Sequence, residues 1–180
     1  MPSETLLAWK KFGSQLVELQ QMEIPRMVVP TYTITMTLYG FSDASIKAYG
    51  CAIYLHATNL RGEESTILLC AKSRLATKGV SLPRLELQGA QLLAELAARI
   101  KAILGNRIQM ERYYSDSQVV LTWIKSPNTK WEIFVRNRIA KIHKVTNPNV
   151  WGYVPTKENP ADLVSRGVPV KLVLSYFHCA

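Results

Sequence analysis

Three aspartates and one glutamate carry the chemistry this chain can be read to offer. The whole sequence has ten Glu but only three Asp, Asp43, Asp116 and Asp162, and each Asp falls where a strand-like run gives way to a turn or a helix. Each has an ordinary structural reading when taken alone. Asp43 can shape a turn in Ser42-Asp43-Ala44-Ser45, Asp116 can cap a helix opening at Ser117, and Asp162 follows Asn159 in a helix's first turn, where the dipole favours an acid. Taken together they point to one site, because open α/β sheets bind ligands at the carboxyl ends of their strands. Glu86 joins them. At helical spacing from it stand Gly89, Ala90, Leu93, Ala97, Ile100 and Leu104, the apolar stripe of its helix, so its carboxylate faces the sheet.

Four carboxylates in one place repel and raise one another's pKa unless cations lie between them. Hard divalent ions answer that need, and Mg2+ takes few protein carboxylates while keeping waters and phosphate oxygens as its remaining ligands. Two such ions about 3.5 to 4 Å apart can activate a water and stabilise the leaving oxygen in phosphodiester cleavage. The expected cofactor is therefore a pair of Mg2+ ions, with Mn2+ as a substitute.

The elements that must position these acids follow from periodicity. A helix is expected over residues 3 to 21, broken by Ile24-Pro25-Arg26 and Pro30. Strands are expected at Tyr32–Phe41, Tyr49–Ala57 and Thr66–Ala71, an antiparallel meander with short connections. A long helix runs from Leu82 to Leu104, with Pro83 at its start and Gly105 at its end. Beyond it come a strand at Gln109–Ser115, helices at Ser117–Ile124 and Trp131–Lys144, a strand at Val150–Val154 and a brief helix from Asn159 to Gly167. Intervening helices make the later strands parallel to the first. The expected fold class is α/β, with a mixed five-stranded sheet, its first three strands antiparallel, flanked by helices. Three segments are expected: a helix and linker over 1–31, the main domain over 32–168 and a tail over 169–180.

Charge and composition narrow the partners. With 22 Lys and Arg against 13 Asp and Glu the net charge is +9, which suits a polyanion. Residues 1–40 are neutral, so the excess lies beyond them. Apolar residues make up 48% and supply a packed core, which excludes a disordered chain. No run of 18 apolar residues and no signal peptide is present, so a chain that is not secreted, intracellular in the cytoplasm or nucleus and without a membrane partner, is expected. Cys51, Cys70 and Cys179 show no metal-ligand spacing and read as reduced thiols.

Phe41-Ser-Asp-Ala-Ser45, Ala71-Lys-Ser-Arg74, Ser81-Leu-Pro-Arg-Leu-Glu-Leu87, Tyr114-Ser-Asp-Ser117 and Lys157-Glu-Asn-Pro-Ala-Asp-Leu-Val-Ser-Arg166 resemble the ribonuclease H domain of BEL/Pao-type LTR retrotransposon polyproteins. The likeness spans roughly residues 36 to 167, and the leading helix resembles the stretch that joins such a domain to its reverse transcriptase. It implies a ribonuclease H-like fold and a two-metal endonuclease that cuts the RNA strand of RNA/DNA hybrids, leaving 5'-phosphomonoesters. Asp43, Glu86, Asp116 and Asp162 fall on the family's four metal-binding acids, with Glu86 expected near the ribose 2'-OH that DNA lacks. A reverse transcriptase domain in the parent polyprotein is the implied protein partner. The chain departs from some ribonucleases H in having no histidine in the loop before the last Asp; His143 stands in a helix well upstream.

Lys72, Ser73 and Arg74 are read as following the third strand near the crevice, where they can hold phosphates of a hybrid. Ser45 and Ser117, flanking the first two Asp, join them as expected nucleic-acid contacts. From Lys125 to Lys144 six cations meet only Glu132, a basic face that can track a second strand or simply solvate the surface. Trp123 and Trp131 read as packing residues. Two other readings use the same residues. An integrase-like site would employ Asp43, Asp116 and Glu158 but leaves Glu86 and Asp162 idle. A catalytically silent RNA/DNA-binding scaffold gains nothing from clustered carboxylates that repel phosphate.

Overall fold

The central strand, β1 (Thr33–Ala44), alternates its side chains between two faces. Met36 and Leu38 point into the core, and Gly40 continues that row where helix α2 (Leu82–Leu104) presses closest; a Cβ there would lie 2.5 Å from Leu93 Cδ1. Tyr39, Phe41 and Asp43 occupy the other face. The computed structural model describes residues 3–21, 29–126 and 130–168. The chain divides into two units, residues 1–27 with 167–180, and residues 28–166.

In the first unit, helix α1 (Ser3–Leu16) continues as a 3-10 turn, Val17–Gln21, and buries none of its residues. Residues 22–28 of the expected linker and the tail over 169–180, with Cys179, lie outside the described residues.

The second unit is built on a five-stranded sheet. Its order is β3 (Glu64–Leu75), β2 (Ala48–Asn59), β1, β4 (Met110–Ser115) and β5 (Trp151–Tyr153). β1 pairs antiparallel with β2, and β2 with β3, whereas β4 runs parallel to β1 and β5 to β4. The mixed sheet with an antiparallel first half is therefore present as expected. Against the β1 and β2 core row pack Leu87, Ala90, Leu93, Ala94 and Ala97 of α2, all buried. Helices α3 (Gln118–Lys125) and α4 (Ile133–Val145) extend this layer through Val120, Ile124, Val135, Ile139 and Ile142. The opposite face carries an aromatic cluster in which Phe41 stacks on Tyr114 and meets Tyr54 edge-on, with ring centroids 5.3 and 5.9 Å apart. A short helix, α5 (Asp162–Arg166), covers the carboxyl end of β1 on that face.

Two strands outrun the sequence reading. Ser42 to Ala44 continue β1, paired with Cys51, Gly50 and Tyr49, instead of turning. Lys72, Ser73 and Arg74 likewise lie within β3 and pair with the same three residues, where the sequence placed them after the strand. Small and charged residues carry weak strand signals, and cross-strand hydrogen bonding overrides them. The last helix begins at Asp162, preceded by a 3-10 turn at Thr156–Glu158, because Asn159 and Pro160 interrupt the backbone between them.

Candidate active site

Parallel pairing of Ser42 with Ser115 sets Asp43 and Asp116 one residue further along neighbouring strands, at their carboxyl ends. The structure thus brings these two acids to one edge, and it adds Glu86 from α2 and Asp162 from α5. Asp43 is only 5% exposed. Burial, reinforced by the charges of Asp116 and Asp162, pushes its carboxyl up to about 6, against hydrogen bonds from the Ser165 hydroxyl and the Ala44 backbone. Glu86 is also raised, by burial first and then by Asp116 and Asp43. Asp43 thus interacts with the other three acids, and Glu86 with Asp116 as well.

Each carboxylate has its own donor. The Ser165 hydroxyl donates to Asp43 Oδ2, Ser117 Oγ to Glu86 Oε2 at 2.5 Å, and Thr156 Oγ1 to Asp116 Oδ2 at 2.8 Å. Arg166 Nε donates to Asp162 Oδ1 at 2.6 Å, one helical turn away. Asp116 Oδ1 is buried and has no partner. Among the described residues no three His, Cys, Asp or Glu side chains are gathered as a ready metal-holding group. The donor chemistry nonetheless fits a hard divalent ion: every candidate is a carboxylate oxygen, the buried Asp116 Oδ1 has no partner, and a cation between them would offset the burial and repulsion that raise Asp43 and Glu86.

Local sequence explains how the acids are held. Gly89 lets α2 approach β1: a Cβ there would stand 3.0 Å from the Asp43 carbonyl oxygen, so Glu86, a turn earlier, reaches the strand end. Gly50, paired with Asp43, makes room for α5, since its Cβ would fall 2.6 Å from Val164 Cγ1. Asn159, 4% exposed, donates from Nδ2 to the Ser42 carbonyl at 3.0 Å and accepts from Ala161 N, fixing the approach to Asp162. Ser165, Thr156 and Asn159 were not singled out from sequence. Ser165 had a signal in its place three residues after Asp162, on the same helical face.

The expected nucleic-acid contacts are distributed differently. Ser117 caps α3, accepting from Val120 N at 3.3 Å, and spends its proton on Glu86. Ser45 donates to the Ser165 carbonyl at 2.8 Å and steadies α5. Ser73 lies across Gly50 from Asp43, exposed, whereas Lys72 and Arg74 face the α2 side of the sheet. His143 lies in α4, its Nε2 2.8 Å from the Ile124 carbonyl, away from the acids. Glu95, on the far side of α2 from Glu86, accepts from Gln91 Nε2 at 2.6 Å. Trp123 and Trp131 meet edge-on at 6.2 Å and pack on the core, as expected. Cys51 and Cys70 are free thiols, and burial pushes Cys51 up to about 12.

A sheet of this order, with α2, α3 and α4 on one face, the short α5 on the other and acids at the carboxyl ends of its central strands, is a ribonuclease H-like fold. The chain belongs to the family described as the Pao retrotransposon-like RNaseH-like domain, whose model matches residues 1–117. That stretch contains Asp43, Glu86 and Asp116 and ends before Asp162. Among solved structures the chain is similar to LC11-RNase H1 in complex with an RNA/DNA hybrid, at 14% identity and TM-score 0.48, over 77% of this chain and 99% of that one. It is similar to RNase H1 of the halophilic archaeon Halobacterium salinarum NRC-1, at 12% identity and TM-score 0.43, over 71% and 93%. A foamy viral protease-reverse transcriptase in complex with dsDNA matches at 18% identity and TM-score 0.47, over 87% of this chain and 30% of that one. No curated protein matches. Among the described residues no helix is long and apolar enough to cross a membrane.

Proposed function

We propose that this chain is a two-metal-ion endonuclease that hydrolyses the RNA strand of RNA/DNA hybrids to 5'-phosphomonoesters, beside a reverse transcriptase domain in a parent polyprotein. The observation that carries this reading is the electrostatic convergence on the buried Asp43, which interacts with Asp116, Asp162 and Glu86. Family membership supports it.

The four acids would hold two Mg2+ ions, or Mn2+ in their place. Bound there, the ions would supply an activated water and charge neutralisation at the leaving oxygen. The protein's own residues do the positioning. Ser165 and Thr156 orient Asp43 and Asp116 through their hydroxyls, and Asn159 ties the loop before Asp162 to β1. Ser117 fixes Glu86, which is assigned to the ribose 2'-OH beside the scissile phosphate, the group that distinguishes RNA from DNA.

Glu86, not Glu158, completes the set. Glu158 is exposed and lines a hollow with Tyr39, Phe41 and Tyr54 on the aromatic face, whereas Glu86 is raised by the charges of Asp116 and Asp43. Separate Glu86→Gln and Glu158→Gln variants test this on a labelled hybrid. Glu86→Gln should slow cleavage at least about 100-fold, the scale of losing one transition-state stabiliser. Loss confined to Glu158→Gln would favour an integrase-like site instead.

A further inference from the structure

Between the edge strand β3 and helices α2 and α4 lies a cavity of about 180 Å³, lined by Tyr49, Arg74, Gln88, Gln91, Glu95 and Arg138. A neighbouring hollow shares Arg74 and Glu95 with it and adds Lys72 and Arg99. Four cations therefore border this cleft against one carboxylate, whose Oε1 already accepts from Gln91. Arg138 is the unusual member. Its guanidinium lies 3.4 Å from the Phe134 ring centroid, and it donates to the Phe134 carbonyl at 3.2 Å. Its Nε is buried without a partner, it joins no carboxylate among the described residues, and burial lowers its pKa. Gln88 Oε1 faces the same shortage.

A partly buried guanidinium with an idle N–H and no counter-ion is costly unless an anion completes it. One water could bridge two idle atoms, but it would leave the charge uncompensated. A tetrahedral oxyanion satisfies both needs: Arg138 and Arg74 supply charge and N–H donors, and half a turn of the Gln88 amide presents its NH2 in place of Oε1. Position identifies the source of that oxyanion. Arg74 pairs with Tyr49, which pairs with Ala44, the residue after Asp43. Two strand spacings of about 4.8 Å put the seat on the order of 10 Å from the end of β1. That is about three base steps at a rise of roughly 3.4 Å.

We propose that Arg74, Gln88 and Arg138 form a seat for a single backbone phosphate of the bound nucleic acid, separate from the carboxylate cluster and on the α2 side of the sheet. The inference rests on a nucleic-acid substrate but not on cleavage.

The test uses the full chain in EDTA, so that binding is read without catalysis. Fluorescence anisotropy follows an RNA/DNA hybrid between 50 and 200 mM salt, and NMR follows the Arg138 Nε–H resonance as inorganic phosphate is added. Arg74→Gln should weaken hybrid binding several-fold and reduce the slope of log K against log salt by about one. Gln88→Glu, nearly isosteric, should weaken hybrid binding and abolish the phosphate-induced shift, with melting curves confirming that both variants fold. An unchanged salt slope in folded Arg74→Gln would overturn the proposal. So would a phosphate-induced shift with no effect of either variant on the hybrid, because the seat would then serve free anions. Failure of the nuclease reading is separable: a chain that never cuts but shows these binding changes keeps the seat.

Discussion

Asp43 combines the deepest burial of the four acids with two like-charged neighbours, so it carries the largest electrostatic cost in the metal-free protein. Its carboxyl is raised from 3.8 to about 6, so the fold favours the protonated form. Stability from this residue is full below pH 3.8 and is lost as pH rises through about 6. The shift corresponds to about 3 kcal/mol at most. Asp43→Asn, which keeps an acceptor for Ser165, should therefore melt several degrees higher than the native chain at pH 7.5 in EDTA, with the gap closing toward pH 4; differential scanning calorimetry measures it. Millimolar Mg2+ should raise the melting temperature of the native chain at pH 7.5 and leave that of Asp43→Asn nearly unchanged. At this scale the sequence was informative about which acids matter, because Asp is scarce and its positions coincide with strand ends. It did not reveal the partners of Ser165, Thr156 and Asn159, which lie 122, 40 and 117 residues away. Such pairings exist only once the fold has formed.

Elements set how closely the acids can approach. Helix α2 was legible from residue 82 to 104, since a 23-residue stripe with Pro at its start and Gly at its end leaves little choice. The ends of β1 and β3 were not, because Ser, Asp, Lys and Arg there take their extended form from neighbouring strands. Two glycines then fix the helices that bring in Glu86 and Asp162. Gly50→Ala would drive a methyl into Val164 and the Lys72 carbonyl. It should cost about 1–3 kcal/mol, as overpacking does, and lower cleavage by displacing α5. Adding Val164→Ala should recover part of both losses, because it removes the nearer obstacle but not the backbone oxygen; urea denaturation and a hybrid cleavage assay check this. Ser117→Ala should cost about 1 kcal/mol through loss of the α3 cap, and should reduce cleavage further because Glu86 loses its donor.

At the scale of the whole molecule, the basic surplus lies in two places in the second unit. The net +9 includes exposed Lys125, Arg136, Lys141 and Lys144 on α3 and α4, and the four cations of the β3 cleft. The basic surplus was plain from composition, but its division between an outer helix face and a cleft depends on which side of β3 Lys72 and Arg74 occupy, and that follows from register. Without divalent ions, affinity for a hybrid should fall steeply with salt and differ little between base sequences, as phosphate contacts dictate. The most direct test of the nuclease reading is strand-specific cleavage of a hybrid labelled separately on RNA and DNA, comparing the native chain with Asp43→Asn in Mg2+ and Mn2+. The account predicts that the native chain cuts the RNA to 5'-phosphate products and spares the DNA, while Asp43→Asn binds the hybrid and leaves both strands whole. A native chain that binds the hybrid yet leaves the RNA intact at every concentration of either metal would contradict it.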